Sequence, residues 1–173
     1  MDDRGVFESY RDYAPAVYAR CVRILRDREA ARDVTQEVFV RCYRERARLR
    51  PGRELLAWLY QVATNLCLNS LRSDKVRATA LGRGGGGAVS EPVAPGQRLV
   101  LELLAGLDPR TQAIAIYVYI DGMTQPEAAA VAGVSDRTVR KCLTRFLEHG
   151  RTALGLGAKE QDDATLSLRL HAG

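Results

Sequence analysis

The stretch Gly122–Leu147, GMTQPEAAAVAGVSDRTVRKCLTRFL, decides the fold of the second half of the chain. Thr124, followed three residues later by Glu127, has the pattern of a capping box that begins a helix. Gly133 suits the left-handed residue that ends a helix, and Ser135 suits the N-cap of the next one. The stretch therefore predicts two short helices joined by a tight turn, which is a helix-turn-helix.

The second of these helices has one apolar face and one basic face. Residues that recur at helical spacing predict the buried side, namely Val139, Leu143, Phe146 and Leu147. The opposite side carries the candidate DNA-binding residues Arg137, Arg140, Lys141, Thr144 and Arg145. A basic helix of this kind fits the major groove of DNA. On these residues alone, a helical hairpin whose basic face is merely solvated stays open as the alternative.

The composition is that of a soluble, basic, helical protein. The chain has 173 residues, 46% of them hydrophobic, and a net charge of +5, which suits a polyanionic partner. No apolar run approaches the roughly 20 residues of a membrane span, and the acidic start MDDRGVFESY does not resemble a signal peptide. We therefore expect no membrane insertion and a cytoplasmic location.

The chemically reactive residues favour binding over catalysis. The cysteines are widely spaced without a CxxC pair and predict buried reduced thiols, with a zinc or disulfide site as the alternative: Cys21, Cys42, Cys67 and Cys142. His149 and His171 are too isolated for a metal cluster. No P-loop, nucleophile elbow or catalytic triad is evident. We expect no catalytic residue, no metal and no cofactor, so the protein should not be an enzyme.

Apolar spacing in the first half predicts three helices. The first covers about Arg4–Leu25, the second follows the N-cap Asp27, and the third covers about Glu54–Asp74. Pro15 lies inside the first window, so the helix should either kink there or begin afresh.

The third predicted helix mixes aromatic and amide residues with its apolar stripe. Trp58, Asn65 and Asn69 are of this kind, and the cations Arg72, Lys75 and Arg77 follow them. Single-stranded bases are bound by stacking on aromatic rings and by hydrogen bonds to amides. The alternative is that Trp58 belongs to the core and the amides are ordinary exposed helix residues.

A glycine- and proline-rich segment separates the two halves. The run RGGGGAVSEPVAPG, at 83–96, contains four successive glycines and two prolines, so we expect that it cannot hold a helix. We expect an all-α protein with helical domains at 1–77 and 97–155, a flexible linker at 78–96 and a loose tail at 156–173. In the second domain, Asp108 followed by Pro109 predicts a further helix start.

Taken together, the two halves resemble the extracytoplasmic-function (ECF) sigma factors, minimal bacterial sigma factors that keep only regions 2 and 4. ARDVTQEVFVRCYR (Ala31–Arg44) is similar to the family's acidic-pair, Gln-Glu-x-Phe helix. LLAWLYQVATNLCLNSLR (Leu55–Arg72) is similar to its Trp-Leu-Tyr-x-Ile-Ala-x-Asn helix, and Leu104–Leu143 is similar to region 4. The chain departs from the family at Val34-Thr35 and at Ala128-Ala129-Ala130, where Leu-Val and acidic-Ile-Ala are usual.

The resemblance implies a subunit of RNA polymerase that directs transcription initiation at chosen promoters. It implies contacts with a coiled coil of the largest polymerase subunit and with the flap of the second largest subunit. The residues it assigns to polymerase binding are Asp33, Gln36, Glu37 and Phe39. An anti-sigma protein is a further implied partner.

The resemblance also assigns the DNA contacts. It places the −10 element against Trp58, Asn65, Arg72, Lys75 and Arg77, with Asn65 holding a flipped-out base and the loop Leu49–Glu54 closing over it. It places the −35 element against Arg140, Lys141, Thr144 and Arg145. Two other readings remain: a helix-turn-helix repressor or activator that is not a polymerase subunit, and a nucleic-acid-modifying enzyme, for which catalytic residues are missing.

Overall fold

A computed structural model describes the backbone of residues 1–80 and 95–156, and the side chains of residues 1–73 and 96–156. Over these residues the regular structure is helical throughout, as predicted. The helices are α1 (Asp3–Leu25), α2 (Arg28–Glu45), α3 (Arg53–Ala80), α4 (Pro95–Leu103), α5 (Pro109–Ala115), α6 (Gln125–Ala132) and α7 (Asp136–Leu154). A π-helical turn, Ile116–Ile120, continues α5. The chain divides into two compact units, Met1–Pro92 and Val93–Gly173, which confirms the two-domain prediction.

The first unit is a bundle in which α1, α2 and α3 each pack against the other two. Its core is formed by fully buried residues that recur at helical spacing: Val17, Cys21, Ile24, Val38, Cys42, Leu59 and Ala63. The predicted N-cap of α2 is confirmed, because the Asp27 carboxylate accepts hydrogen bonds from the amides of Glu29 and Ala30 at 2.8 and 3.0 Å. α1 runs without a break past Pro15, so of the two alternatives predicted there, a fresh helix start does not occur.

The helices on either side of the predicted linker are longer than expected. α3 continues to Ala80 rather than ending near Asp74, because the intervening residues include good helix formers and neither glycine nor proline. α4 begins at Pro95, where proline is tolerated because the first turn of a helix has no internal partner for its amide. The remaining residues of the predicted linker, 81–94, lie outside the described part of the chain. So do residues 157–173 of the predicted tail.

The second unit consists of α4, α5 with its π-helical turn, α6 and α7. Its core joins α5, α6 and α7 through Ile114, Tyr117, Ala128, Ala129, Val139, Cys142 and Leu143. The small side chains of Ala128 and Ala129 let α6 lie close to its neighbours. The side chain of Gln112 is buried and donates a hydrogen bond to the carbonyl of Leu104 at 2.8 Å, which fixes the end of α4 against α5.

Candidate nucleic-acid interface

The helix-turn-helix has the geometry that its sequence predicts. A complete capping box begins α6: the Glu127 carboxylate accepts from the Thr124 amide at 2.8 Å, and the Glu127 amide donates to the Thr124 hydroxyl at 3.4 Å. Hydrogen bonds from the Thr124 hydroxyl and amide lower the pKa of Glu127, so this cap remains charged. Gly133 ends α6 with φ of 65°, and the Ser135 hydroxyl caps α7 by accepting from the Thr138 amide at 3.3 Å. The turn therefore fixes α7 relative to α6.

α7 presents one continuous basic face. The five predicted DNA-binding residues, Arg137, Arg140, Lys141, Thr144 and Arg145, are all exposed. On the other side Val139, Leu143 and Phe146 are buried as predicted, and Leu147 is half-buried. The exposed carboxylate of Glu148 follows Thr144 by one turn and Lys141 by two, so it shares their face. The exposed cations of α7 therefore lie in the first half of the helix, the part that reads base edges in helix-turn-helix proteins, whereas Arg151 in the last turn is half-buried.

Arg145 has a partner that sequence reasoning missed. Its Nη1 donates to Oδ2 of Asp108 at 2.8 Å, in a pair whose side chains are 51% and 42% exposed. Asp108 was predicted only as the N-cap of α5, which is confirmed by its hydrogen bond from the Thr111 amide at 3.1 Å. The two residues are 37 positions apart, so no local pattern signals the contact. Hydrogen bonding from the Thr111 side chain, and then from the Thr111 amide and Arg145, lowers the pKa of Asp108 to about 2.

In the first unit, the structure brings together only part of the predicted polymerase-binding set. Asp33 and Gln36 are exposed on α2, and Glu37 beside them is half-buried. The Glu37 carboxylate accepts from Nε of Arg41 one turn later at 2.8 Å. Phe39 is only 6% exposed, and its ring meets that of Tyr10 edge-on with centroids 4.9 Å apart. Phe39 thus holds α2 against α1 and does not share the exposed face of Asp33.

The predicted −10 residues lie along α3. Trp58 is half-buried, whereas Asn65 is exposed about two turns later on the same side of the helix. Within the described side chains, the Asn65 amide takes part in no hydrogen bond, and it does not bond the turn at 49–54. Arg72 is exposed, and its Nη1 donates to the Asn69 side chain at 3.0 Å. Lys75 and Arg77 belong to α3, but their side chains lie outside the described residues.

A buried arginine supports this face of α3, and sequence reasoning missed it. Arg20 is charged, but it lies on the apolar stripe of α1 that Val17 and Ile24 form. Its side chain is therefore fully buried between α1 and α3. Its Nη2 donates to the Thr64 hydroxyl at 2.6 Å, and its guanidinium carbon lies 4.6 Å from the centroid of the Tyr60 ring. Thr64 is the neighbour of Asn65, so Arg20 fixes the part of α3 that carries the candidate base-binding amide.

The cysteines are buried free thiols, as predicted: Cys21, Cys42, Cys67 and Cys142. Burial raises the pKa of the Cys42 thiol, which keeps it protonated. No group of three or more potential metal ligands occurs among the residues that the structure describes. Within the same residues, no helix combines the length and the apolar character that crossing a membrane requires.

Comparison with known families accounts for both units. Residues 9–77 match the family model of sigma-70 region 2, and residues 97–149 match that of sigma-70 region 4. The chain belongs to the sigma-70 family of RNA polymerase sigma factors, and its relatives place it in the extracytoplasmic-function group.

Similar proteins support this membership to differing extents. The "Probable RNA polymerase sigma factor RfaY" of Xanthomonas campestris pv. campestris is 30% identical over 141 residues, which cover 75% of this chain and 35% of that protein. The ECF RNA polymerase sigma factor SigE of Mycolicibacterium smegmatis is 31% identical over 162 residues, 88% of this chain and 63% of that protein. The chain thus spans about a third of the first relative and less than two thirds of the second.

A solved structure shares the fold. It is the sigma factor RpoE in complex with the anti-sigma factor NepR from Bartonella quintana. The TM-score is 0.54 at 18% identity, with 86% of this chain and 96% of that chain covered.

Proposed function

We propose that this protein is a dissociable promoter-specificity subunit of bacterial RNA polymerase. It binds the core enzyme, recognises −10 and −35 elements and helps to melt the DNA, and it has no catalytic activity of its own. The observation that carries the proposal is the presence in one chain of two complementary surfaces. One is a helix-turn-helix with an exposed basic face, and the other is a three-helix unit with exposed acids on α2 and an exposed amide on α3. Neither surface alone would distinguish this function from ordinary DNA binding.

We assign −35 recognition to the basic face of α7. Arg140 lies in the first half of the helix and is exposed, so it can offer two N–H donors to the O6 and N7 atoms of a guanine. Lys141 is a compact charge that suits a phosphate, which adds affinity without sequence choice. Arg137 and Thr144 flank these two residues on the same face. Arg145 is also assigned to this face, although part of its guanidinium is already bonded to Asp108.

We assign −10 recognition to the exposed side of α3. The Asn65 amide can donate to and accept from the edge of an unstacked base, and the indole of Trp58 can contact its apolar surface. Arg72 lies further along the helix, where it suits the DNA backbone. We place Lys75 and Arg77 with Arg72 because they follow on the same helix. Unstacking a base costs a few kcal/mol, so this site requires the binding energy of the polymerase.

Polymerase binding is assigned to the exposed acids of α2. Among the described side chains the exposed carboxylate of Asp33 has no ion pair, and the neutral amide of Gln36 is exposed beside it, whereas the Glu37 carboxylate is paired with Arg41. We propose that this face docks on a coiled coil of the largest polymerase subunit, with Phe39 acting from the core by fixing α2. A contact of the second unit with the flap of the second largest subunit completes the proposed interaction. An anti-sigma protein is a further proposed partner, supported by the complex in which the RpoE structure was solved.

Co-purification with core polymerase tests this function. The full chain, mixed with core enzyme lacking any sigma factor, should elute with it in gel filtration. A helix-turn-helix repressor or activator would bind promoter DNA but would elute apart from the core enzyme. That second result would contradict the proposed function and favour the alternative.

A further inference from the structure

We propose that Asp108 is a positioning residue for promoter recognition: its carboxylate holds one end of the Arg145 guanidinium so that the remaining donors face a base of the −35 element. The inference rests on the proposed function and adds to it a specificity-determining residue outside the recognition helix. It also divides the basic face of α7 into cations that are free to adapt and one that is held in place.

The carboxylate of Asp108 is itself fixed. Its Oδ1 accepts from the Thr111 amide at 3.1 Å, and its Oδ2 accepts from the Thr111 hydroxyl at 2.6 Å. Thr111 is fully buried, so this anchor belongs to the core of the second unit. The same Oδ2 accepts from Nη1 of Arg145 at 2.8 Å. A long side chain on α7 is therefore tied to a carboxylate that has little freedom of its own.

The pair leaves Arg145 able to recognise a base. A guanidinium carries five N–H donors in a planar fork, and a guanine uses two of them. One donor is engaged by Asp108, and the side chain remains 51% exposed. Arg145 lies one helical turn after Lys141, at the edge of the basic face that borders the start of α5. A guanine edge that reaches this border can be read without breaking the ion pair.

The ion pair is better explained as orienting the Arg145 side chain than as withholding it from DNA. Ion pairs between partly exposed side chains are weak, so Asp108 cannot withhold Arg145 from DNA effectively. A weak contact to a fixed carboxylate still reduces the number of orientations that Arg145 must lose on binding a base, which favours the correct base over others. Because hydrogen bonds hold the pKa of Asp108 at about 2, the carboxylate is ionised throughout the physiological pH range. Because one of its donors is already bonded to Asp108, Arg145 should contribute to sequence choice more than to phosphate affinity.

The test uses the full chain bound to core polymerase and a promoter library with a randomised −35 element, sequenced in the bound and free fractions. D108S keeps a hydroxyl that can cap α5 but is too short to hold Arg145. We expect D108S to reduce the preference at one −35 position about tenfold and to leave the other positions unchanged. R145A should lose preference at that same position, and the double variant should lose no more than R145A. D108N, which keeps both the cap and the side-chain length, should give an intermediate loss.

E102Q is the matched control, because it removes one exposed negative charge from the same unit at a residue paired with Arg98 instead. It should leave every −35 preference unchanged, and an equal loss in E102Q would overturn the proposal. The proposal would also be overturned if D108S and D108N kept the native −35 preference, or if their affinity rose evenly for all sequences. If the unaltered chain shows no −35 preference, the proposed function itself has failed. If the unaltered chain and R145A behave as expected and only the Asp108 variants keep the native preference, the positioning role alone is wrong.

Discussion

Arg20 and Thr64 join α1 to α3 inside the first unit, where Nη2 of a fully buried guanidinium donates to the threonine hydroxyl at 2.6 Å. The hydroxyl in turn donates to the carbonyl of Tyr60 at 2.7 Å. A buried cation is costly unless its donors are paired, so this hydroxyl is worth more to the fold than an ordinary threonine hydroxyl. The contact also lies next to Asn65, so it links the stability of the bundle to the candidate base-binding side chain.

Thr64→Val should lower the free energy of unfolding of the first unit by about 1–3 kcal/mol, since it removes an acceptor of a buried charged donor. Thr35→Val is the matched control. Thr35 is also buried and donates to the carbonyl one turn earlier, at 2.7 Å, but among the described side chains no buried cation bonds to it. It should cost less than about 1 kcal/mol. Denaturant unfolding followed by the fluorescence of Trp58, the single tryptophan, measures the first unit. Equal losses in the two variants would show that the Arg20 contact adds nothing.

Reversing the charge of both Asp33 and Glu37 to Lys should weaken binding to core polymerase about tenfold or more, because it places two cations on the proposed docking face. A comparable reversal is available on α1, at the exposed acids Glu8 and Asp12, which are each paired with an arginine as Glu37 is. Affinity is measured by titrating labelled chain with core enzyme, and circular dichroism checks the fold. Equal affinity of the two double variants would remove α2 from the interface.

Asn65→Ala should keep core binding but reduce open-complex formation and blur base preference at one −10 position, because it removes the amide that we propose reads the unstacked base. Asn69→Ala is the control, since Asn69 is exposed one turn later and bonds Arg72 instead. Permanganate footprinting on duplex and on pre-melted templates separates melting from later steps. An Asn65→Ala protein with native activity and native base preference on both templates would leave Asn65 no role in recognition.

Arg140→Ala should change the sequence preference, whereas Lys141→Ala should change the affinity for all sequences. Loss of a bidentate contact to guanine removes about 1–3 kcal/mol of discrimination at one −35 position. Loss of a phosphate contact weakens binding to all sequences and reduces the salt dependence by about one counterion. Binding of the polymerase complex to native and mutated −35 elements across several salt concentrations provides both quantities. Native discrimination in Arg140→Ala would show that α7 reads the element through other residues.

The parts of this protein that could be predicted are those governed by neighbouring residues. The caps at Asp27, Thr124, Asp108 and Ser135 each depend on side chains within three positions, and all of them form as expected. The faces of α7 follow from helical spacing for the same reason. The end of α3 was misplaced because its last turns carry no stop signal before the glycines.

Contacts between distant residues were not predictable in this way. The pairing of Arg145 with Asp108 and the burial of Arg20 depend on how helices pack, and a single sequence does not specify which polar residues meet. Phe39 was grouped with Asp33 by a family motif, whereas helix geometry directs the two side chains to different faces. Sequence reasoning therefore located the surfaces of the candidate sites, and packing determined which residues each surface includes.

Run-off transcription with purified core polymerase tests the central claim most directly. Core enzyme alone and core enzyme with the full chain are compared on fragmented genomic DNA from the host, and start sites are mapped by sequencing the 5′ ends. The account predicts that the chain produces new start sites that share −10 and −35 sequences, and that Asn65→Ala and Arg140→Ala weaken preference within the −10 and −35 element respectively. Transcription that is unchanged by the chain, or start sites without shared upstream sequences, would contradict it.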